Sequence, residues 1–212
     1  MTFRDIAVKV IQAVHDASLT GDSALIRYFD RCVKELAGRI DFSALVGENK
    51  VTIKANGTSI AMPTDYLRNL QYAYDTDTEA ALTILSPREM WTEYPRMDAT
   101  GVYAQYCCVR DGDLYVQPAP EDDEDITLRY FKSPDEVDRL DDTVPSWIPA
   151  RVQQDVFFHF ACRECFTQIE DGIDGGKPNT QYHEAMYRSA FHNIAWEAQA
   201  AGEEITPGDI TA

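Results

Sequence analysis

Basic residues are scarce in this chain. Its 212 residues carry 19 Lys and Arg against 36 Asp and Glu, a formal net charge of −17. Gripping a nucleic-acid backbone needs clustered cations, so the balance argues against nucleic-acid binding and against docking on an anionic membrane. DNA passing close by without sticking is compatible with it, because like charges repel. Long apolar runs are also missing. No stretch reaches the roughly 18 residues of a membrane span. Arg4, Asp5 and Lys9 interrupt the first apolar pattern, which is unlike a signal peptide. Cysteine is sparse and odd in number, five in all, which predicts reduced thiols in a cytosolic setting.

Catalytic and metal-binding patterns are missing as well. Cys162 and Cys165 form a C-x-x-C, with Cys107 and Cys108 as possible zinc partners. A helix is a poor frame for a zinc knuckle, however, and adjacent strand residues point to opposite faces. Free cysteines are common small core residues. His15, His159, His183 and His192 show no H-E-x-x-H spacing. Gly175-Gly176-Lys177-Pro178 lacks the first glycine, the Ser or Thr and the preceding strand of a phosphate loop. Asn56-Gly57-Thr58 matches a glycosylation acceptor, but a tight turn in a cytosolic chain gives the match no meaning. The runs Asp122-Asp123-Glu124-Asp125 and Asp141-Asp142 lack the alternating ligands of a calcium loop and read as solvated loops. No catalytic residue, metal ligand or cofactor is assigned.

What the chain does have is one long, strongly apolar helical stretch, Pro145 to Asp171. Ile148, Val152, Val156, Phe160, Cys165, Phe166 and Ile169 recur at helical spacing, and Phe157, Phe158, Ala161 and Cys162 widen the stripe. Gln154, Asp155, His159, Arg163, Glu164, Gln168 and Asp171 are left for a narrower wet face. Pro149 suits the first helical turn and Gly172 the exit. A stripe this wide implies more than one partner helix.

Other helices are legible on either side. Thr2 to Asp16 is one, with a capping box of Thr2 and Asp5 and a buried face of Phe3, Ile6, Ala7, Val10 and Val14. A second starts at an N-cap, Asp22 or Ser23, and runs to about Gly38 with Leu25, Phe29, Cys32, Val33 and Leu36 inward. A last helix, capped by Asn179 and reaching about Ala200, buries Tyr182, Met186, Ala190 and Ile194, flanked by Tyr187, Phe191 and Ala195.

Between these helices the apolar period changes to two. Asn56-Gly57 predicts a hairpin that sets Ile53 opposite Ile60 and Val51 opposite Met62. Tyr66-Leu67-Arg68 reads as a turn or helical piece. Strands are expected at 70–74 and 81–85. A short helix opens with Ser86 as N-cap, Pro87 at N1 and Glu89 at N3 and stops before Pro95. A second hairpin, 103–109 with 114–117, turns at Asp111-Gly112 and sets Val109 opposite Leu114 and Cys107 opposite Val116. Pro118 to Asp125 reads as an acidic loop, 126–131 as a strand and 133–144 as a charged linker. The expected fold is α+β. N- and C-terminal helix pairs (1–47 and 145–200) form an antiparallel helical bundle, with an inserted antiparallel β-rich module (48–134) and a flexible C-terminal tail (201–212). The tail has little capacity to pack on itself. Glu203, Glu204, Ile205, Pro207, Asp209 and Ile210 are its candidate partner-binding residues.

The order of segments resembles a known family. The residues that carry it are Met62-Pro63-Thr64-Asp65-Tyr66-Leu67-Arg68 after a hairpin, Ser86-Pro87-Arg88-Glu89, the run from Asp111 to Pro120, and the run from Ile126 to Pro134. An acidic linker, Pro145, Trp147, Pro149 and the long apolar helix follow. Together these resemble the bacteriophage head-to-tail adaptor (connector) family, with tail tubular protein A as one branch, over roughly residues 1 to 200. The resemblance implies a structural virion protein with no catalytic residues. It implies a homo-oligomer, a dodecameric ring, whose partners are the portal protein and the tail nozzle protein. DNA would pass through it without specific binding. Assembly would take place in the host cytoplasm. The rival reading is a small-molecule-binding protein or enzyme with a pocket between bundle and β module, using Trp91, Tyr94, Tyr103 or Tyr106. A third is a protein-binding adaptor outside any virus.

Overall fold

The computed structural model describes residues 1–171 and 176–200, the side chains of 199 and 200 aside. The secondary structure is mixed, α and β. Its helices are α1 (Phe3–Val14), α2 (Asp22–Arg39), α3 (Pro87–Glu93), α4 (Ala150–Ile169) and α5 (Pro178–Ala200), and a 3-10 turn covers Ser43–Leu45. Its strands are β1 (Val46–Ile53), β2 (Ser59–Ala61), β3 (Tyr66–Asp75), β4 (Thr83–Ile84), β5 (Thr100–Gly101), β6 (Tyr106–Arg110), β7 (Asp113–Gln117), β8 (Ala119–Pro120) and β9 (Glu124–Lys132). The chain divides into two compact units, one of Met1–Ala44 with the chain from Pro134 onward, the other of Leu45–Ser133.

The helical unit is built on α4. Its Val152, Val156, Phe157, Phe160, Ala161, Cys162 and Cys165 are buried, as their spacing predicts. Phe157 meets Phe3 of α1 edge-on at 5.1 Å and Phe29 of α2 at 6.0 Å, while Phe3 and Phe29 stack at 5.2 Å. Val10, Leu36, Val156 and Ile194 are all fully buried. The Asp5 carboxylate accepts the Thr2 backbone N–H (2.8 Å) and hydroxyl (3.0 Å), so the first capping box forms. The five residues expected on the buried face of α1 are those that face inward.

Several expectations for this unit need correcting. Gly21, not Asp22 or Ser23, is the N-cap of α2, and Asp22 instead occupies the first turn, where the helix dipole favours its charge. Pro149 is the N-cap of α4, one position ahead of the first turn. The stretch 133–144 is more than a charged linker, since Val137, Leu140 and Val144 are buried and Thr2 bridges to Thr143. His159 is buried, not wet, because α5 covers it. Asn179 lies inside α5, which starts at Pro178, and does not cap it. Ala190 and Ile194 are buried as expected, but Tyr182 and Met186 face solvent.

The β unit holds two larger sheets and a small one. Strand β9 is the centre of the first, flanked antiparallel by β1 and β3. The second has the order β2-β7-β6-β4, and β5 pairs with β8. Ile53, Met62, Ala73, Leu82, Cys107, Leu114, Val116, Ile126, Leu128 and Tyr130 form one core between them. The β6–β7 hairpin has the expected register, Val109 opposite Leu114 and Cys107 opposite Val116. Its turn needs left-handed backbone at Asp111 (φ 52°) and Gly112 (φ 88°), and only glycine adopts the latter without strain.

The Asn56-Gly57 hairpin is not formed. Ile53 stands opposite Glu124 of β9, and Ile60 opposite Leu114 of β7. The turn is a corner between sheets. Gly57 donates its N–H to the Lys54 carbonyl at 2.7 Å, and a Cβ there would lie only 2.7 Å from the same oxygen. Tyr66–Arg68 begins β3 and is neither turn nor helix; its register against β9 shifts repeatedly up to Tyr72. The acidic stretch 118–125 includes β8 and the start of β9. The short helix α3 is capped as expected, Ser86 and Glu89 exchanging hydrogen bonds at 2.8 and 3.2 Å.

Candidate assembly surface

Helices α4 and α5 lock together through polar groups. The Arg163 guanidinium donates to Glu184 (2.9 Å) and Glu164 (2.8 Å) and lies over the rings of Phe160 and Tyr187. Arg188 and Arg31 brace the same carboxylates from solvent, at 2.8 Å each. Tyr187 donates its hydroxyl to Glu35 of α2 at 3.2 Å, and burial pushes that phenol well above its ordinary range. A further ion pair joins Arg151 to Glu197.

The start of α5 is held by Glu170. Its carboxylate accepts the Asn179 N–H (3.1 Å) and amide (2.8 Å), and the Thr180 N–H (3.0 Å) and hydroxyl (2.7 Å). Burial alone would raise this acid, but the four donors hold it at about 2. One turn on, the Nδ1 atoms of His159 and His183 are 2.9 Å apart, so one ring donates to the other. Phe166 stacks on His183, and Phe158 and Tyr182 present their edges. Burial, then the neighbouring His159, lowers His183 to about 4; burial also lowers His159.

Helices α1 and α5 carry exposed apolar side chains among polar ones; α1 also exposes Arg4, Asp5, Lys9 and Gln12. On α5, Tyr182, Met186, Ser189, Asn193 and Trp196 are exposed at alternating spacings of four and three. That average of 3.5 residues draws a straight seam like that of a coiled coil. On α1, Val8 and Ile11 are exposed. Both helices pack on α4, where Phe157 meets α1 while His159 and Arg163 meet α5.

Sequence reasoning missed that these apolar side chains are exposed. The spacing of the exposed residues was the available signal, but apolar spacing alone reads as core. The candidate tail residues Glu203, Glu204, Ile205, Pro207, Asp209 and Ile210 lie outside the described residues. The five cysteines are free and buried, and burial pushes the thiols of Cys107, Cys162 and Cys165 up to about 12. Among the described residues, no group of three or more His, Cys, Asp or Glu could hold a metal. No described helix is long and apolar enough to cross a membrane. The aromatics of the rival reading all lie within the β unit. Trp91 packs on Tyr115 beneath Arg110, Tyr94 packs on Tyr106, and Tyr103 is exposed. A cavity of about 540 Å³ lies beside Trp147 in the helical unit, and one of about 490 Å³ beside Tyr103 and Tyr106 in the β unit.

Ion-paired helices that leave large side chains such as Tyr182 and Trp196 exposed suit a protein that makes contacts with other chains. The SU10 adaptor protein family matches residues 1–208, and the chain belongs to that family of phage head-to-tail adaptors. It is a structural component of a virion. No curated protein matches it.

Proposed function

We propose that the chain forms the adaptor ring of a phage neck, joining the portal protein to the tail nozzle protein around the DNA exit channel, like tail tubular protein A. The family match over residues 1–208 carries this reading. The ring is a homo-oligomer, a dodecamer. Its helix pairs, 1–47 and 145–200, form an antiparallel bundle with residues 48–134 as the inserted module. The excess of acidic side chains supports a channel through which DNA slides without specific binding. The chain turns over no substrate and needs no cofactor; it assembles in the host cytoplasm. Glu203, Glu204, Ile205, Pro207, Asp209 and Ile210 order on a neighbouring protein.

Electron microscopy of the chain mixed with its portal tests the reading. The expected result is a second ring stacked on the portal, whereas a chain that stays monomeric and unbound refutes it. Deleting residues 202–212 is expected to reduce retention on portal rings at least tenfold, and unchanged retention removes the tail from the proposal.

A further inference from the structure

We infer that the cavity beside Trp147 receives a basic segment of a different virion protein, an arginine flanked by apolar side chains. This rests on the adaptor reading and names the chemistry of one of its contacts. At about 540 Å³ the cavity has the size of a ligand pocket, and it lies wholly within the helical unit. Its apolar lining is Phe3 and Val137, both buried, with Trp147 half-buried and packed on Phe42 at 4.6 Å. Its charged lining is Asp135, Glu136, Asp138 and Asp142 against a single cation, Arg139. Glu136 is engaged by Lys34 at 3.2 Å, and Asp142 accepts the backbone N–H groups of Asp138 (3.1 Å) and Arg139 (2.9 Å). Asp135 and Asp138 are exposed, and neither carboxylate makes an ion pair among the described residues. The walls are held in place. Val137 donates its N–H to Asp30 at 3.3 Å, and Phe3 and Val144 donate theirs to the carbonyls of Asp142 and Met1 at 3.1 Å each. A preformed site spends little on ordering when it is filled.

The lining selects this occupant. An indole beside unpaired carboxylates attracts a cation, and a guanidinium can lie on the ring while donating to the acids. A bare metal ion does not fit, because no group of three or more His, Cys, Asp or Glu among the described residues could hold one. Nucleic acid and anionic lipid are repelled. The chain's own last residues, from 201 on, include Glu203, Glu204 and Asp209 and no Lys or Arg, so they do not match. A second copy approaches with its own charge of −17. A basic partner approaches with the opposite sign, and its apolar neighbours meet Phe3 and Val137. Ion pairs at an exposed rim are weak and salt-sensitive, so this contact is one anchor within a larger interface.

A fluorescein-labelled peptide of alternating leucine and arginine is the probe, read by anisotropy on the full chain. Its control is the leucine–citrulline peptide, of the same shape without the charge. At low salt the arginine peptide is expected to bind at least tenfold more tightly than the control. Asp135→Asn with Asp138→Asn is expected to weaken it at least tenfold with the thermal midpoint unchanged. Glu121→Gln with Asp122→Asn, which removes two exposed charges from the β unit, is expected to weaken it less than twofold. Equal losses in the two variants would mean that net charge alone draws the peptide, and would overturn the inference, as would no loss in either. Spermidine that displaces the peptide at equal concentration marks a site for small cations and overturns the protein occupant. Self-association of the native chain that vanishes in the Asp135→Asn, Asp138→Asn variant assigns the cavity to a second copy and overturns it too. In purified particles that variant is expected to have at least tenfold lower occupancy than the native chain. Native occupancy overturns the inference and leaves the adaptor reading intact. Particles that lack even the native chain overturn the adaptor reading and with it the virion partner, while the peptide still reports on the cavity.

Discussion

At the scale of the residue, the pair His159 and His183 gives the helical unit a pH dependence of known sign. An unfolded histidine takes up a proton near pH 6.5, but folded His183 does so only near pH 4. Between these values the unfolded chain binds more protons, so stability falls as pH drops from about 6.5 to about 4 and is unaffected by the pair above that window. Asp155 and Glu170 favour the protonated rings but do not reverse the shifts. His183→Phe is expected to remove this part of the slope. Between pH 7.5 and pH 4.5 its thermal midpoint should fall less than that of the native chain, by on the order of 3–6 °C. Equal slopes would show that the pair does not titrate on unfolding. The sequence hid this pair, because a polar residue between apolar neighbours reads as solvent-facing until the covering helix is known. The same lack of context misplaced Tyr182 and Met186. Residues four apart advance about 40° around a helix at each step, so the row from Tyr182 to Ile194 turns from solvent into the core.

At the scale of the element, α4 is the helix on which α1, α2 and α5 all pack. Phe157 is wholly buried between Phe3 and Phe29, and Phe157→Ala is expected to cost about 3–5 kcal/mol. Urea unfolding measures it; a loss below about 1 kcal/mol would mean that the site collapses around the gap. The importance of α4 was legible because a broad apolar stripe at helical spacing has few other uses. The two turn signals fared differently. At Asp111-Gly112 the flanking strands pair with each other, so local pattern and turn chemistry fix the register. At Asn56-Gly57 the arms pair with β9 and β7, more than 50 residues away. Strand β9 is buried on both faces, with Thr127 and Phe131 covered as well as Ile126, Leu128 and Tyr130. A strand with that much to bury takes a neighbour on each side, and β1 fills one of those places. No local signal carries that competition.

At the scale of the whole molecule, a net charge of −17 on 212 residues presses outward on the compact state. Many carboxylates are paired, as Arg4 with Asp141 and Lys54 with Asp123, but the excess remains. Screening that excess is expected to outweigh the weakening of exposed ion pairs. Raising sodium chloride from about 50 to 500 mM should therefore raise the thermal midpoint, by on the order of a few degrees. A fall would place more of the stability in surface ion pairs than their exposure allows. Composition alone announced this property, and the order of short motifs announced the family; neither announced which surfaces stay bare.

The buried thiols have a consequence for the particle's life outside a cell. A virion component meets air and peroxide. Cysteine oxidises through its exposed thiolate, and here all five thiols are shut away, with Cys107, Cys162 and Cys165 firmly protonated. Outside a cell its cysteines stay as they were made.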